Sequence, residues 1–309
     1  MFDVKNSILE RINIADFTQR GITLYVKRDD LIHAEVSGNK WRKLKFNAES
    51  CLTKKKKGIL TFGGAYSNHL LATASACSSL GLESIGIVRG EELNENSNGT
   101  LKNCARLGMR LIFVSRAKYQ LRHEKAFIEA KGIEFPNFLI VPEGGANYLG
   151  MIGCQELISE IKIEFDAIFV AQGTATTSCG VAMGLNANQE IHVVPALKGY
   201  QSIDEMDRLL IESGIDEEWR NQILDKVIVH SDYHFRGYGR YTHELLLFIK
   251  EFHEKHGLKL DPIYTGKTMF ALVAKLKEEV YNNKTVVFIH TGGLQGVSSI
   301  EEKSGFKLF

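Results

Sequence analysis

A lysine that follows a glycine and an asparagine is the first residue of this chain with the setting for covalent chemistry. Lys40 closes the tripeptide Gly38-Asn39-Lys40, just after the strand-like segment 24–28, and Arg42 and Lys43 follow it. A glycine and an asparagine allow a sharp turn, and neighbouring positive charge makes a lysine amine more nucleophilic by lowering its pKa. The pattern indicates an amine nucleophile beside a phosphate, or else a basic turn at a strand end.

A second candidate site follows the predicted strand 59–62. Gly63-Gly64 provides a turn, and Ser67, Asn68 and His69 open a helix rich in small residues. Backbone N–H groups at a helix N-terminus, aided by the positive end of the helix dipole, bind carboxylates. The alternative is that Ser67 and Asn68 only cap the helix.

A third candidate site follows the apolar strand 168–170. The run Gly173-Thr174-Ala175-Thr176-Thr177 enters a helix, so N–H and O–H donors converge where a phosphate can bind. Neither G-x-x-x-x-G-K-[ST] nor a G-x-G-x-x-G after a strand is present, which argues against nucleotide loops. Cys179, at the start of the same helix, is expected to be a packing residue rather than a nucleophile.

The segment Asp261-Pro262-Ile263-Tyr264-Thr265-Gly266-Lys267 precedes a long helix. Pro262 indicates a rigid approach to that helix, and Gly266 indicates a tight turn. A simple capping turn is the alternative.

Other catalytic motifs are not matched. His253-Glu254-Lys255-His256 has one residue too few for a zinc helix, and G-x-S-x-G is absent, so we expect neither a metal site nor a serine nucleophile.

The elements that must position these residues alternate between short apolar runs and longer helical patterns, which is typical of α/β proteins with parallel sheets. Strands are predicted at 59–62, 84–88, 110–114, 138–141, 167–171, 191–195, 226–229 and 285–289. Helices are predicted at 68–80, 100–107, 119–130, 204–213, 241–256 and 267–281. The glycine-rich segments follow strands, at the sheet edge where α/β proteins bind ligands.

Composition excludes several classes of protein. The chain has 309 residues, which suits one large domain or two joined domains, and its formal charge of +1 favours neither nucleic acid nor an anionic membrane as a partner. Five cysteines without a C-x-x-C pair indicate a reducing compartment. With no apolar run near the roughly 18 residues of a membrane span and no secretory pattern, a cytoplasmic location is predicted.

Six segments, in order along the chain, resemble the pyridoxal-phosphate enzymes of the tryptophan-synthase-β class, and within it the branch of D-cysteine desulfhydrases and 1-aminocyclopropane-1-carboxylate deaminases. They are 37–43, 63–69, 142–147, 173–180, 261–267 and 290–293. The resemblance implies two doubly wound, three-layer αβα domains with parallel sheets and pyridoxal 5′-phosphate in the cleft between them. It implies a larger domain of residues 1–45 and 155–309, a smaller inserted domain of residues 46–154, and a homodimer.

The resemblance also implies which residues bind the cofactor. Lys40 forms the Schiff base with it, and Asn68 contacts its phenolic oxygen. The remaining cofactor-binding residues are Lys43, Thr174, Ala175, Thr176 and Thr177 at the phosphate, Thr265 at the pyridine nitrogen, and Thr291. Ala175 stands where the family more often has glycine.

A further set of residues is implied to bind the small amino-acid substrate. Ser67, Asn68 and His69 bind its carboxylate, and Ser67 is a candidate proton relay near the substrate carbon. Tyr238 and Tyr264 face the side chain and are candidate acids. The chain departs from the family around this pocket at Trp41, Ala65, Tyr66 and Arg236.

Thr265 and Thr291 distinguish the two branches of the family, because the deaminases have a glutamate and a leucine there. A hydroxyl keeps the pyridine nitrogen protonated less well than a carboxylate, so the ring is a weaker electron sink. We therefore expect β-elimination on a small D-amino acid, with D-cysteine giving pyruvate, ammonia and hydrogen sulfide and Lys40 as the base at Cα. The alternatives are 1-aminocyclopropane-1-carboxylate deamination to 2-oxobutanoate, a D-serine dehydratase-like activity, and a non-catalytic amino-acid-binding protein.

Overall fold

The computed structural model describes residues 4–33, Val36 and 38–309, so Ser37, the first residue of the lysine segment, lies outside the described residues. The described strands are β1 (Leu9–Ile12), β2 (Thr23–Lys27), β3 (Gly58–Gly64), β4 (Glu83–Arg89), β5 (Met109–Val114), β6 (Phe138–Ile140), β7 (Ala167–Gln172), β8 (Glu190–Pro195), β9 (Val227–Val229) and β10 (Thr285–Ile289). The described α-helices are α1 (Ala15–Gln19), α2 (Asn39–Thr53), α3 (Asn68–Leu80), α4 (Gly99–Arg106), α5 (Arg116–Gln120), α6 (Lys125–Glu134), α7 (Tyr148–Glu160), α8 (Thr176–Gly184), α9 (Ser202–Glu212), α10 (Glu217–Leu224), α11 (His243–His256), α12 (Thr265–Lys275) and α13 (Val297–Ser304).

These elements form two compact units. The smaller unit is Lys40–Gly153, and the larger unit combines residues 4–39 with Cys154–Phe309. The chain passes from one unit to the other inside α2 and again inside α7. The resemblance places these crossings after residue 45, which also falls within α2, and near residue 155, which falls within α7.

The smaller unit contains a four-stranded sheet in the order β5-β4-β3-β6, in which every pair is parallel. Leu60 and Phe62 of β3 pack with Tyr119 of α5. Ile59, from the same strand, packs with Cys51 of α2. Because alternate residues of a strand point to opposite faces, helices cover both faces of this sheet. The unit therefore has three layers, with a core on each side of the sheet.

The larger unit contains a six-stranded sheet among its described residues, in the order β1-β2-β10-β7-β8-β9. Its pairs are parallel except for β1, which runs antiparallel to β2 at one edge. Phe169 and Phe288 share one core with Met269 of α12, whereas Ile168 and Val170 point to the opposite face and are equally buried. Burial on both faces confirms the predicted α/β class with parallel sheets.

Two predicted helices differ from the described ones: one is interrupted, and the other ends early. The pattern predicts one helix over 119–130, but α5 ends at Gln120 and α6 begins at Lys125, with Glu124 extended between them. A 3₁₀ turn at Leu121–His123 separates the two helices, and the Glu143 carboxylate accepts from the Tyr119 hydroxyl at 2.9 Å and from Arg122 Nε at 2.6 Å beside it. The helix predicted over 267–281 likewise ends at Lys275.

All five cysteines are buried and carry free thiols. Burial raises the pKa of Cys77 and of Cys104 to about 12, and it also raises the pKa of Cys51. The thiolate forms are therefore scarce at neutral pH. Among the described residues, the helices are all too short or too polar to cross a bilayer.

Candidate active site

Lys40 lies in the first turn of α2 rather than in a turn at a strand end. Gly38 has φ +63°, and the helix begins at the next residue, Asn39. The predicted turn through Asn39 is therefore wrong. The buried apolar side chains recur at a helical spacing of three and four residues, and they are Trp41, Leu44, Ala48 and Cys51.

Asn39 joins the start of α2 to two loops of the larger unit. Its side-chain Nδ2 donates to Thr177 Oγ1 at 2.8 Å, and its backbone N–H donates to the Thr291 carbonyl at 3.4 Å. Gly38 lies against the same loop, so closely that a β-carbon there would be 1.9 Å from the Thr291 carbonyl oxygen. Lys40 is the next residue along the chain, directly after the residue that makes these two contacts.

The predicted phosphate loop, residues 173–177, presents several donors at the start of α8. The Oγ1 atoms of Thr174 and Thr176 lie 3.3 Å apart. Ser178 Oγ is fully buried and has no hydrogen-bond partner among the described residues. Ala175 has φ −64°, which any residue adopts, so the backbone at this position does not require glycine. Hydroxyls and helix N-terminal amides together form the donor set that a phosphate requires.

Lys43 is buried in the smaller unit and lies close to the loop 142–147. Gly145 has φ +70°, and a β-carbon there would lie 3.0 Å from Lys43 Cβ and 3.6 Å from His69 Cε1. One turn along α2, Asn47 Nδ2 donates to the Lys43 carbonyl at 2.8 Å, and Asn147 Nδ2 donates to Asn47 Oδ1 at 2.8 Å. These contacts fix the rotation of α2, and with it the direction of Lys43.

His69 has one tautomer that its neighbours permit. Thr61 Oγ1 has a single proton, which it donates to the Val141 carbonyl at 2.8 Å, so it accepts from His69 Nε2 at 2.9 Å. The other ring atom, Nδ1, is then a bare lone pair, and it has no hydrogen-bond partner among the described residues. Burial, together with the nearby charges of Lys40 and Lys43, lowers the pKa of His69 to about 3. The ring is therefore neutral and cannot donate to a substrate carboxylate from Nδ1.

The backbone at the start of α3 supplies the donors that the His69 ring does not. The helix begins at Asn68, so the N–H groups of Asn68 and His69 have no acceptor within it. Ser67 caps the helix, since its Oγ accepts from the Leu70 N–H at 3.3 Å, and its hydroxyl proton is directed elsewhere. A β-carbon at Gly63 would lie 2.7 Å from Ser67 Oγ, which explains the glycine. Capping and carboxylate binding are thus compatible at this helix end.

We expect His69 to make the protein less stable in mild acid. The folded-state pKa of about 3 lies below the ordinary value of 6.5, so between these values the unfolded state binds more protons. The free energy of unfolding therefore falls as the pH decreases from 6.5, by roughly 2 kcal/mol at pH 5. Replacing His69 with glutamine retains a donor to Thr61 and should reduce this pH dependence, measured as urea midpoints at pH 6.5 and pH 5. The exposed His243, changed to glutamine, is the control and should leave the dependence unchanged; an equal slope in all three proteins would refute the expectation.

Tyr238 and Tyr264 contact each other in the larger unit. Their ring centroids are 6.1 Å apart and the rings meet edge to face at 66°. Tyr264 also packs against the phosphate loop, because a β-carbon at Gly173 would lie 3.1 Å from its ring. Tyr238 is 54% exposed, whereas Tyr264 is partly buried. The two predicted acids are thus adjacent, beside the loop that carries Thr174.

Thr265 is fully buried and hydrogen-bonded on both sides of its hydroxyl. Its Oγ1 accepts from the Asp261 N–H at 2.8 Å and donates to Asp261 Oδ1 at 2.7 Å. The same carboxylate also accepts from the backbone N–H groups of Ile263, Tyr264 and Thr265, each at 2.9 Å. With its proton engaged, the hydroxyl has a lone pair, not a donor, left for a ring nitrogen.

The sequence reasoning missed four residues that position the candidate site. They are Asn39, Asn47, Thr61 and Asp261. Each of them lies within or beside a segment that the sequence analysis identifies. The residue to which each one is hydrogen-bonded, however, is known only from the fold. Of the positions that depart from the family, Trp41 is buried, Tyr66 is exposed, and the Ala65 carbonyl accepts from Asn98 Nδ2 at 3.1 Å.

Known proteins share both the sequence and the fold of this chain. The family model described as pyridoxal-phosphate dependent enzyme matches residues 6–292. A "Putative 1-aminocyclopropane-1-carboxylate deaminase" of Pyrococcus horikoshii is 30% identical over 295 residues, which cover 92% of this chain and 88% of that protein. A protein of the same name in Thermotoga maritima is 33% identical over 295 residues, which cover 90% of each.

A solved structure gives the same result. The crystal structure of a protein described as an ACC deaminase homologue superposes with a TM-score of 0.78 and 26% identity, covering 96% of this chain and 92% of the other. The chain therefore belongs to the family of pyridoxal-phosphate-dependent enzymes, and pyridoxal phosphate is its cofactor.

Proposed function

We propose that this enzyme catalyses β-elimination on D-cysteine, with Lys40 as the residue that binds the cofactor covalently. The observation that carries the proposal is the pair of contacts made by Asn39. They attach the residue before Lys40 to Thr177 on one side and to Thr291 on the other. A lysine held at that point, in the first turn of a helix, is suited to attack an aldehyde whose phosphate is bound by the loop 173–177.

The residues present fit pyridoxal phosphate. The unpartnered Ser178 Oγ, the hydroxyls of Thr174 and Thr176 and the first amides of α8 supply donors for the phosphate. Lys43, buried and directed by Asn47, is the proposed cation of the same site. We assign Thr265, Thr291 and Asn68 to the ring. When bound, the cofactor supplies an electron sink for negative charge at Cα of an amino acid.

The carboxylate of the substrate is proposed to bind at the start of α3. The N–H groups of Asn68 and His69 point out of the helix end, where the helix dipole favours an anion. The His69 ring donates its only proton to Thr61, so it shapes the site without donating a hydrogen bond to the carboxylate. Ser67 retains a hydroxyl proton for relay near the substrate carbon.

The proton transfers are assigned to groups of this chain. The Lys40 amine removes the Cα proton, and the bond between Cβ and sulfur breaks with its electron pair on sulfur. Tyr238 or Tyr264, which lie in contact, donates the proton that the leaving thiolate takes up. Water then replaces nitrogen on the three-carbon product, so that D-cysteine and one water give pyruvate, ammonia and hydrogen sulfide.

The Thr265 contacts support an elimination over a ring opening. Its proton is committed to Asp261, so it offers a ring nitrogen less stabilisation than a carboxylate would. A thiolate departs readily and requires less stabilisation of the carbanion than opening a cyclopropane does. The second candidate is 1-aminocyclopropane-1-carboxylate deamination to 2-oxobutanoate, which the names of the Pyrococcus and Thermotoga relatives favour.

A substrate panel separates the two candidates. We expect purified enzyme loaded with pyridoxal phosphate to change its absorbance spectrum on addition of D-cysteine and to release sulfide and pyruvate at equal rates. D-serine and 1-aminocyclopropane-1-carboxylate should react more slowly, because a hydroxyl is a poorer leaving group and the ring demands a stronger electron sink. L-Cysteine is the matched control for configuration. Faster formation of 2-oxobutanoate than of pyruvate would overturn the assignment in favour of the deaminase.

We also infer the cellular compartment and the oligomeric state of the enzyme. Its five buried free thiols support a reducing compartment, and we propose the cytoplasm. The resemblance to the family supports a homodimer.

A further inference from the structure

A lysine that the proposed chemistry does not use is the most deeply buried cation of α12. Lys267 is 0% exposed and lies two residues after Thr265, in the first turn of the helix. Burial lowers the pKa of Lys267 to about 8, while the charge of Asp261 acts in the opposite direction. Near neutral pH the side chain is therefore still an ammonium group with three protons to donate. Both burial and the positive end of the helix dipole disfavour a cation here, so it requires compensation.

Three backbone carbonyls supply that compensation. Lys267 Nζ donates to the carbonyls of His234 at 2.8 Å, Gly237 at 2.9 Å and Ala196 at 3.4 Å. Two of the three belong to one segment, residues 234–240, which we call the Tyr238 loop. A single buried ammonium therefore bonds this loop at two points and also bonds the residue that follows β8.

The Tyr238 loop has a backbone that needs such support. Phe235, Arg236 and Gly237 have φ values of +47°, +71° and +106°, so three consecutive residues occupy the left-handed region, and two of them are not glycine. Such conformations are strained for L-residues and persist only where surrounding contacts impose them. Phe235 contributes one contact, since its ring meets Phe270 of α12 edge to face at 5.1 Å. The carbonyl bonds to Lys267 hold the loop as well, beside the bond that the Gly237 N–H donates to the His234 carbonyl at 3.0 Å.

We propose that Lys267 is a positioning residue for Tyr238. It fixes the carbonyls on both sides of the strained residues, and Tyr238 follows directly after Gly237. The fixed loop presents the exposed Tyr238 ring to Tyr264, which itself packs on Gly173 of the phosphate loop. The inference rests on the proposed function in so far as Tyr238 faces the substrate. Its structural part, that Lys267 orders the loop, is independent of the reaction.

The first test is tryptic cleavage of the cofactor-loaded enzyme, because Arg236 and Arg240 are exposed cleavage sites within the loop. In Lys267→Met, a variant of similar volume without donors, we expect cleavage after these arginines to accelerate about tenfold or more. Lys277→Met is the matched control, since Lys277 is exposed just beyond the end of α12, and it should be cleaved at the wild-type rate. A folded Lys267→Met protein with wild-type protection of the loop would overturn the proposal.

The second test asks whether Lys267 acts through Tyr238. In Lys267→Met we expect the KM for the amino-acid substrate to rise about tenfold while the affinity for pyridoxal phosphate stays within about twofold. In a Tyr238→Ala background the same substitution should no longer change KM. A general loss of structure would instead lower cofactor affinity and persist in that background, and either result would refute the positioning role.

A rescue variant keeps the proposal testable if Lys267→Met does not fold. Lys267→Gln retains two N–H donors, and it should give intermediate cleavage after Arg240. Adding Arg236→Gly to either variant removes strain at one left-handed residue, so it should restore part of the protection. No restoration would contradict the link between Lys267 and the strained loop. If the wild-type enzyme acted on none of the amino acids offered, the proposed function would fail, while the cleavage test would still decide the role of Lys267.

Discussion

Replacing Lys40 with alanine is expected to abolish both covalent cofactor binding and turnover. Without the amine, the absorbance band of lysine-bound cofactor should disappear, and a cofactor held by the phosphate donors alone should be removed by gel filtration. The loss of the base at Cα should lower kcat by about 10³-fold or more, which is the size of general-base contributions. The measurements are the absorbance spectrum of the reconstituted protein and the rate of pyruvate release.

A second lysine of α2 provides the control for this substitution. Lys45 lies one turn further along the helix, and its Nζ lies 4.6 Å from the centre of the Phe46 ring. Lys45→Ala should retain the band and most of the activity. A Lys40→Ala protein with an unchanged spectrum would remove this residue from its assigned role and direct the search to Lys43, the other lysine near His69.

Replacing Asp261 with alanine is expected to be the most destabilising single change in the larger unit. The carboxylate is 2% exposed and accepts four hydrogen bonds, three from backbone N–H groups and one from the Thr265 hydroxyl. Its removal leaves these donors without an acceptor. Each buried donor without a partner lowers the free energy of unfolding by about 1–3 kcal/mol, and less where water reaches it. We expect the free energy of unfolding to fall by about 4 kcal/mol.

The two tryptophans allow this loss to be located. Trp219 belongs to the larger unit and Trp41 to the smaller. In a Trp41→Phe background, urea unfolding followed by Trp219 fluorescence reports the larger unit, where Asp261→Ala should lower the midpoint. Asp261→Asn, which keeps one acceptor oxygen, should lie between wild type and alanine. The exposed Asp232, changed to alanine, should cost less than about 0.5 kcal/mol. Equal midpoints for the two alanine variants would show that the carboxylate is not a structural acceptor.

The regular elements could be predicted where local pattern and tertiary burial agree. Helix α3 has its predicted bounds, 68–80, because Ser67 caps its start and Gly81, with φ +68°, ends it. Strand β7 is buried throughout and is apolar up to its last residue, Gln172, as a doubly covered strand should be. The edge strand β1 was missed because only one of its four residues is buried. Its position is imposed by β2, not by its own side chains.

The detail of the site could not be read in the same way. Motifs identified the loops that carry Lys40, Ser67 and Thr174, since glycine turns and small hydroxylated residues leave a local signature. The contacts that orient these loops join residues far apart in the chain, such as Asn39 with Thr177. The tautomer of His69 depends on which group accepts the hydroxyl proton of Thr61, and that acceptor is the Val141 carbonyl. No local pattern specifies such pairs, because they exist only once the sheets have formed.

The burial of all five thiols has a consequence for the proposed release of hydrogen sulfide. Disulfide exchange and persulfide formation both begin with an accessible thiolate. Here the thiols are enclosed, and the pKa values of Cys77 and Cys104 are raised to about 12. Hydrogen sulfide and the polysulfides that form from it in air would find almost no reactive sulfur on the folded chain. If the proposed reaction is correct, the folded enzyme is thereby protected from oxidation of its thiols by the sulfur compounds that it releases.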